Sequence, residues 1–466
     1  MSEGQTEAMS LELEPSGITR LRHWMRSVLG LDRAVGFTIL ARFWSSLAGL
    51  VTVVLIARFL SPAEQGYYYT FGSLVALQII FELGFSYVIL QMASHERAQL
   101  TISCDYEIGG DPIAHARLAS VIQKSVRWYS VAAVLMAGTL LPVGFYFFSA
   151  HQHAGQTVAW AFPWCTAALM AALNFQIDPF LSFLEGCGYV PEVARLRLMQ
   201  SVTGSVLAWT ALVSHHGLFA PSMLLFGMAL ASLLWLARKR KLLLGLLRYH
   251  TDVHRIRWNQ EVWPFQWRIA VSWFCGYFLF WLFSPVLFAF RGPIEAGRMG
   301  MSLSLANAIQ AIAVSWVSTK SAPFGTLIAR GEYQRLDQIF FLALKQSCVV
   351  SMAGALVAWL GCIYLNWRHF RFAQRLLDPS SLALLLLYML ATVIIFAEAC
   401  YLRAHKQEVL FVNSLVGALL VSACVVVFGR LYGALGMVLS CCLLNLIGLA
   451  WATQKFRKYR RLWHTP

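Results

Sequence analysis

Charge is what this sequence has least of. Only 13% of its 466 residues are Asp, Glu, Lys or Arg, where a soluble domain carries roughly 25%. That scarcity argues against an ordinary soluble globule. The ten cysteines include no Cys-x-x-Cys pair and fall mostly inside apolar runs, which argues against a metal site or a disulfide framework. No cleavable leader is expected, because 33 mostly polar or amphipathic residues precede the first apolar run and no small-residue cleavage pattern follows a short apolar core. Long loops are scarce too. "RFLSPAEQG", "SAHQHAGQ", "SHHGLFAP" and "RGPIEAG" leave little room for the acids, bases or metal ligands of a membrane glycosyltransferase, polymerase or ligase; the exception is "NWRHFRFAQRLLDPSS", a basic loop carrying Arg368, His369, Arg371, Arg375 and Asp378. The histidine pairs 151/153 and 215/216 lack a third ligand, so no metal and no cofactor is expected.

What the sequence has instead is apolar length. Hydrophobic residues make up 58%, mean hydropathy is +0.61, and runs of about 20 residues, enough to cross a bilayer, recur along the chain. About twelve such runs lie near 34–57, 67–92, 128–149, 157–183, 196–216, 219–237, 266–290, 299–317, 338–365, 381–402, 408–429 and 432–453. The expected fold is therefore an all-α polytopic membrane protein. With both termini cytoplasmic, about 28 Lys and Arg residues fall inside and about 7 outside, which selects that orientation. The formal charge of +15 is concentrated in "RLRHWMR", "ARKRK" and "KFRKYRR" beside span ends. Anionic headgroups account for it without nucleic acid as a partner.

The sequence repeats itself at half its length. "SPAEQGYYYTFGSL" is followed 231 residues later by "GPIEAGRMGMSLSL", so that Pro62, Glu64, Gly66, Ser73 and Leu74 align with Pro293, Glu295, Gly297, Ser304 and Leu305. An offset of six spans preserves orientation, which predicts two parallel six-helix bundles related by an axis along the membrane normal. The expected organisation is an interfacial cytoplasmic segment (1–33), an N-terminal bundle (34–237), an amphipathic cytoplasmic linker (238–264), a C-terminal bundle (265–453) and a basic tail (454–466). Locally, the proline suits a helix start and the acid its first turn.

"ARFLSPAEQGYYYTFGSLVALQIIFELGFS" (57–86), the second copy "GPIEAG" and "STKSAPFGTLIARGEYQRLDQIF" (318–340) resemble the polysaccharide-transporter branch of the multidrug, oligosaccharidyl-lipid and polysaccharide (MOP) exporter superfamily, O-antigen flippases above all. The two additional C-terminal spans usual in lipid II flippases of that superfamily have no counterpart here. The resemblance implies a V-shaped fold like that of the superfamily's MATE multidrug exporters. It further implies a bacterial inner-membrane carrier, not an enzyme, moving undecaprenyl-diphosphate-linked oligosaccharide (an O-antigen or exopolysaccharide repeat unit for lipopolysaccharide or other polysaccharide biosynthesis) to the outer leaflet. Its partners would be that lipid-linked oligosaccharide, membrane lipids and polysaccharide polymerase or assembly proteins. The basic outer loop with Arg368, His369, Arg371, Arg375 and Asp378 suits diphosphate after flipping, or anionic headgroups. Two rivals are a MATE-type multidrug or cation antiporter and an enzyme of the same pathway.

Charges within the spans are the candidate machinery, since they are costly in hydrocarbon. Arg42 shares a helical stripe with Thr38, Ser45, Ser46, Gly49 and Thr52. A guanidinium there suits diphosphate oxygens, although snorkelling to headgroups is the plainer role. Arg42, Ser45, Ser46, Gln78, Asn307 and Gln310 are expected to bind substrate. Glu82, at nearly the depth of Arg42, and Asp178, beside Pro179, are candidates for ion coupling; a structural Arg42–Glu82 pair and a pairing of Asp178 with Arg195 or Arg197 are the plainer alternatives. Under the repeat offset Arg42 aligns with Trp273 and Glu82 with Ala313, so the halves have diverged where chemistry would sit. Glu398 is expected to pair with Arg403 or Lys406, Asn413 and Asn445 to join helices, and Trp24, Tyr67, Tyr68, Tyr69, Trp128, Trp367 and Trp463 to sit in interfacial belts.

Overall fold

The structure, a computed structural model, describes residues 33–103, 108–152, 158–249, 256, 258, 263–405 and 409–464. Trp24 and Lys406, and the side chain of Trp273, lie outside the described part. The chain is almost wholly helical. In the first half α1 (Arg33–Phe59) is followed by α2 (Pro62–Val75), α3 (Gln78–Glu82) and α4 (Phe85–Arg97), then α5 (Pro112–Ala150), α6 (Ala161–Gly186), α7 (Val190–Val213) and α8 (Ala220–Arg238). The short α9 (Arg240–Arg248) leads to the second half: α10 (Trp263–Phe280), α11 (Phe283–Arg291), α12 (Pro293–Ser318), α13 (Ser321–Ala329), α14 (Tyr333–Trp367), α15 (Pro379–Ala404) and α16 (Phe411–His464).

Among the described residues eight helices are long and apolar enough to cross a membrane, or nine if the bent α2–α4 segment counts as one span. This is a multi-pass membrane protein. Several of the expected runs read differently in three dimensions: α7 carries Glu192, Arg195 and Arg197 near its start, α10 and α11 are separate pieces, and α16 joins two apolar stretches across Gly433, where φ is 67° and ψ is −151°. Large apolar side chains such as Val134, Val357 and Leu419 point outward, as contact with lipid tails requires.

Helix starts follow sequence chemistry. Ser61 and Glu64 form a reciprocal capping box at α2, with bonds of 3.2 and 2.8 Å. Asp111 accepts from the Ile113 amide at 3.0 Å ahead of Pro112, and Asp378 accepts from the Ser381 amide at 3.0 Å ahead of Pro379. The second apolar run is not one straight helix. Leu83 and Gly84 both adopt left-handed backbone, φ 52° and 67°, which glycine accepts without steric cost, and the two segments meet at 44°.

Helix pairs sort into two groups. α1, α4, α5, α6, α7 and α8 pack among themselves, as do α10, α11, α12, α14, α15 and α16, and the groups meet mainly along α2 and α12. The described ends of α4, α6, α8, α13 and α15 lie on the side that carries the start of α1 and the end of α16, here the terminal face; the ends of α1, α5, α7, α11 and α14 and the break at Gly433 lie on the far face. On the terminal face Gln123 of α5 donates to the carbonyls of Leu246 and Tyr249, both at 2.9 Å, clamping α9. Arg460 of α16 pairs with Asp337 of α14 at 2.7 Å. A two-stranded hairpin, β1 (Leu100–Ile102) and β2 (Ile108–Gly110), pairs Leu100 with Gly110 there. Sequence periodicity did not suggest it, because three-residue strands carry almost no pattern.

Tyr67 corrects one expectation. It is 2% exposed and packs at 4.8 Å on Phe288 and 5.4 Å on Phe148, so it joins the core instead of an interfacial belt. Trp128 and Trp367 are exposed as belt residues should be, whereas Trp463 stacks on His405 at 4.1 Å.

Candidate functional site

The repeated Pro-x-Glu-x-Gly motifs meet each other. A Cβ placed on Gly66 of α2 would lie 1.9 Å from the carbonyl oxygen of Pro293, and one on Gly297 of α12 would lie 2.9 Å from the Gly66 amide nitrogen. The motif does more than begin helices: its glycines let the two halves touch backbone to backbone at the far face. Gln65, 1% exposed, crosses this seam and donates to the carbonyls of Gly297 at 2.8 Å and Arg375 at 3.0 Å. Arg375 returns the contact, donating to Leu60 O at 2.6 Å and to Gln65 Oε1 at 3.3 Å. Burial pushes the Arg375 guanidinium pKa down, and the nearby Glu64 carboxylate pushes it back up. The second motif's acid does a different job: Glu295 accepts from the Ala434 amide at 2.6 Å, fixing the break in α16.

Nearer the terminal face the halves touch again where Arg42 Nη1 donates to Ser318 Oγ at 3.2 Å. The stretch of α12 between Gly297 and Ser318 carries Asn307, which is exposed, and Gln310, half-buried. α3, which packs on α5, α6 and α10, carries the half-buried Gln78. None of the three side chains makes a hydrogen bond among the described residues, so all three have uncommitted donors and acceptors. Arg42 is exposed and makes no ion pair among the described residues; a single bond to Ser318 leaves most of its five donors available.

The remainder of the Arg42 stripe turns toward a neighbouring helix. Ser45 Oγ shares a hydrogen bond with Ser201 Oγ of α7 at 2.9 Å, and Thr52 accepts from Trp209 Nε1 of the same helix at 2.8 Å. Ser46 bonds its own helix at Arg42 O, 3.0 Å. A neutral hydrogen bond contributes roughly 1 kcal/mol. Ser45→Ala and Ser201→Ala are accordingly expected to lower the thermal midpoint by similar small amounts, and the double variant by little more than either alone, with transport near wild type. Additive losses in the double variant would show that the two hydroxyls act separately.

Glu82 ends α3 at the helix break and accepts from Ser86, the second residue of α4. Its electrostatic neighbours are Asp178 of α6 and Tyr129 of α5, a fully buried ring. Arg42 is not its partner. Asp178 feels Arg197 through space, but Arg197 pairs directly with Glu185 at 2.6 Å. Asn174 spends its amide on Met170 O and Leu225 O, both 2.8 Å, and joins α6 to α8. In the second half Glu398 accepts from Thr453 at 2.7 Å and makes no ion pair with Arg403, while Lys406 lies outside the described residues. Asn445 donates to Tyr388 O at 2.8 Å, the expected bond between helices. Asn413 is half-buried, and its two buried amide atoms have no hydrogen-bond partner among the described residues.

The nearly all-helical membrane body, whose two halves meet at paired glycines with an uncommitted guanidinium farther along the same junction, shares its fold with solved MATE transporters and with the flippase MurJ. Among solved structures, the MATE multidrug transporter DinF-BH superposes with a TM-score of 0.62 at 13% identity, covering 93% of this chain and 97% of its own. The lipid II flippase MurJ, in an inward closed conformation, gives 0.55 at 14%, covering 91% and 89%. The inward-facing conformation of a multidrug resistance MATE family transporter gives 0.54 at 13%, covering 89% and 99%. The chain matches no protein-family model and no curated protein. At such identities the likeness shows a shared fold.

Proposed function

We propose that this protein is an alternating-access flippase that carries undecaprenyl-diphosphate-linked oligosaccharide from the inner to the outer leaflet of a bacterial cytoplasmic membrane, with both chain ends cytoplasmic. The observation that carries this reading is Arg42: a permanent cation within a span, held by one hydroxyl and facing no carboxylate among the described residues. A charge in that position is expensive unless it meets water or an anion, and a guanidinium matches phosphate oxygens with paired donors. Gln78, Asn307 and Gln310 supply neutral hydrogen-bonding groups for sugar hydroxyls beside it. With the terminal face cytoplasmic, as the distribution of Lys and Arg favours, the Gly66–Gly297 seam closes the outer side and the cargo enters from within. Glu82 and Asp178 are the proposed coupling groups. Two carboxylates in each other's field cannot both ionise cheaply, and Glu82 stands where α3 and α4 can change their angle.

A second reading, a multidrug or cation exporter, draws on those same carboxylates, which would attract a cation. Deleting the gene separates the two. The flippase reading expects loss of surface polysaccharide, with lipid-linked repeat units accumulating in the membrane. Intact polysaccharide together with heightened sensitivity to lipophilic cations would favour the exporter and overturn the flippase.

A further inference from the structure

We propose, resting on the alternating-access reading but on no particular cargo, that the loop between α14 and α15, residues 368–378, is a strap that travels with the second half and locks the far-face seam, with Arg375 as its bolt.

The strap is anchored on one side. Ser302 of α12, 0% exposed, accepts from the Leu377 amide at 3.0 Å. Arg298 of the same helix donates from Nε to Gln374 O at 2.9 Å, and Cys362 of α14 donates from Sγ to Leu377 O at 3.6 Å. All three partners belong to the second half, and all three bonds run to the strap's backbone, so they fix its course whatever its side chains do.

A different set of contacts crosses the seam. Arg375 Nη2 donates to Leu60 O at 2.6 Å and Nη1 to Gln65 Oε1 at 3.3 Å, while Gln65 Nε2 donates back to Arg375 O at 3.0 Å. Leu60 O lies just past the end of α1, where carbonyls lack an intrahelical partner and the helix dipole favours a cation. Leu376 and Phe372 of the strap join one apolar cluster with Ile56, Leu60 and Leu212 of the first half. Arg375 makes no ion pair among the described residues, and Glu64 acts on it only through space. A guanidinium held by two neutral oxygens is released at lower cost than a buried ion pair, which suits a contact that must break in every cycle. The other arginines of the loop do not reach across. Arg371 is exposed and makes no hydrogen bond or ion pair among the described residues, and Arg368 lies over the Trp367 ring at 5.8 Å. Parting the halves therefore breaks the crossing contacts and leaves the anchoring bonds whole.

The test follows two thiols in the purified full-length protein with a maleimide, reading each site by peptide mass spectrometry. M301C places one on α12 in the apolar cluster that the strap covers, at a position 0% exposed. Native Cys362, 1% exposed, lies under the anchor. With R375Q, M301C is expected to react about tenfold faster or more than without it, and Cys362 no faster. R375K keeps the charge without the paired donors and should give roughly a threefold increase; it carries the test if R375Q does not fold. R371Q should leave both rates unchanged. Equal M301C rates with and without R375Q overturn the bolt. A rise at Cys362 in step with M301C overturns the strap, since the loop would then have left the second half too. An R371Q effect as large as that of R375Q assigns the hold to the loop's charge and likewise overturns the bolt. Gly66→Ala separates these failures from that of alternating access: faster M301C labelling with Gly66→Ala but not with R375Q means a seam that parts without a bolt, and no increase with either means a seam that does not part.

Discussion

Gly66→Ala is expected to prop the far seam open and to reduce export about tenfold or more while leaving membrane levels near wild type. The added methyl would stand 1.9, 2.5 and 2.8 Å from the oxygen, carbon and Cα of Pro293, all of them backbone atoms at a helix start that cannot swing aside. Overpacking of this kind costs about 1–3 kcal/mol, which shifts a two-state equilibrium by roughly 5–150-fold. The cost falls only on the closed seam, because a state in which α2 and α12 separate has no such contact. Gly72→Ala on the same helix, with nothing within 4 Å of the new atom, should behave as wild type. A cysteine at Leu60, 3% exposed beside the seam, should label faster with an impermeant maleimide in the Gly66→Ala background. Low membrane levels without faster labelling would mean that the glycines are static packing and that the seam does not open.

Arg42 gives the second large effect. Removing a hydrogen-bonded charge costs roughly 1.5–3 kcal/mol, so Arg42→Ala should weaken cargo binding about 10–150-fold. Arg42→Lys keeps the charge, loses the paired donors and should fall between. Stability should change little in either variant, because Arg42 has no carboxylate partner among the described residues to strand when it is removed. Full export by Arg42→Ala would show that the guanidinium serves lipid headgroups by snorkelling.

The helical, membrane-spanning character of the chain was legible because apolar length depends on composition alone. The junction between the halves was half legible: the 231-residue offset drew attention to Pro-x-Glu-x-Gly, yet the proline and acid suggested helix starts, while the glycines set the contact. Two glycines four residues after matched prolines were the available signal. Arg375 stood out in the sequence only as one cation of a basic outer loop, suited to diphosphate or headgroups, and its role at the seam was hidden for a different reason. A basic residue in a far-face loop resembles a solvent-exposed cation, and nothing local announces that its donors reach Leu60 and Gln65, more than 300 positions away. The stripe on α1 shows the limit of a helical wheel, which groups Arg42 with Ser45 and Thr52 but does not say which neighbour each one meets. Glu82 illustrates the same gap. Equal depth suggested Arg42 as its partner, but the break at Leu83 and Gly84 turns the chain, and Ser86 and Asp178 become its surroundings.

The central claim is that this chain moves a diphosphate-linked oligosaccharide between leaflets. It is tested most directly with purified protein in vesicles carrying undecaprenyl-diphosphate-linked oligosaccharide, by following how much cargo becomes accessible to an external sugar-oxidising or lectin probe. Wild type should raise the accessible fraction from one leaflet's share toward the whole, and Gly66→Ala and Arg42→Ala should do so at least tenfold more slowly. If wild-type vesicles expose cargo no faster than protein-free vesicles under any imposed proton or sodium gradient, the flippase account is contradicted.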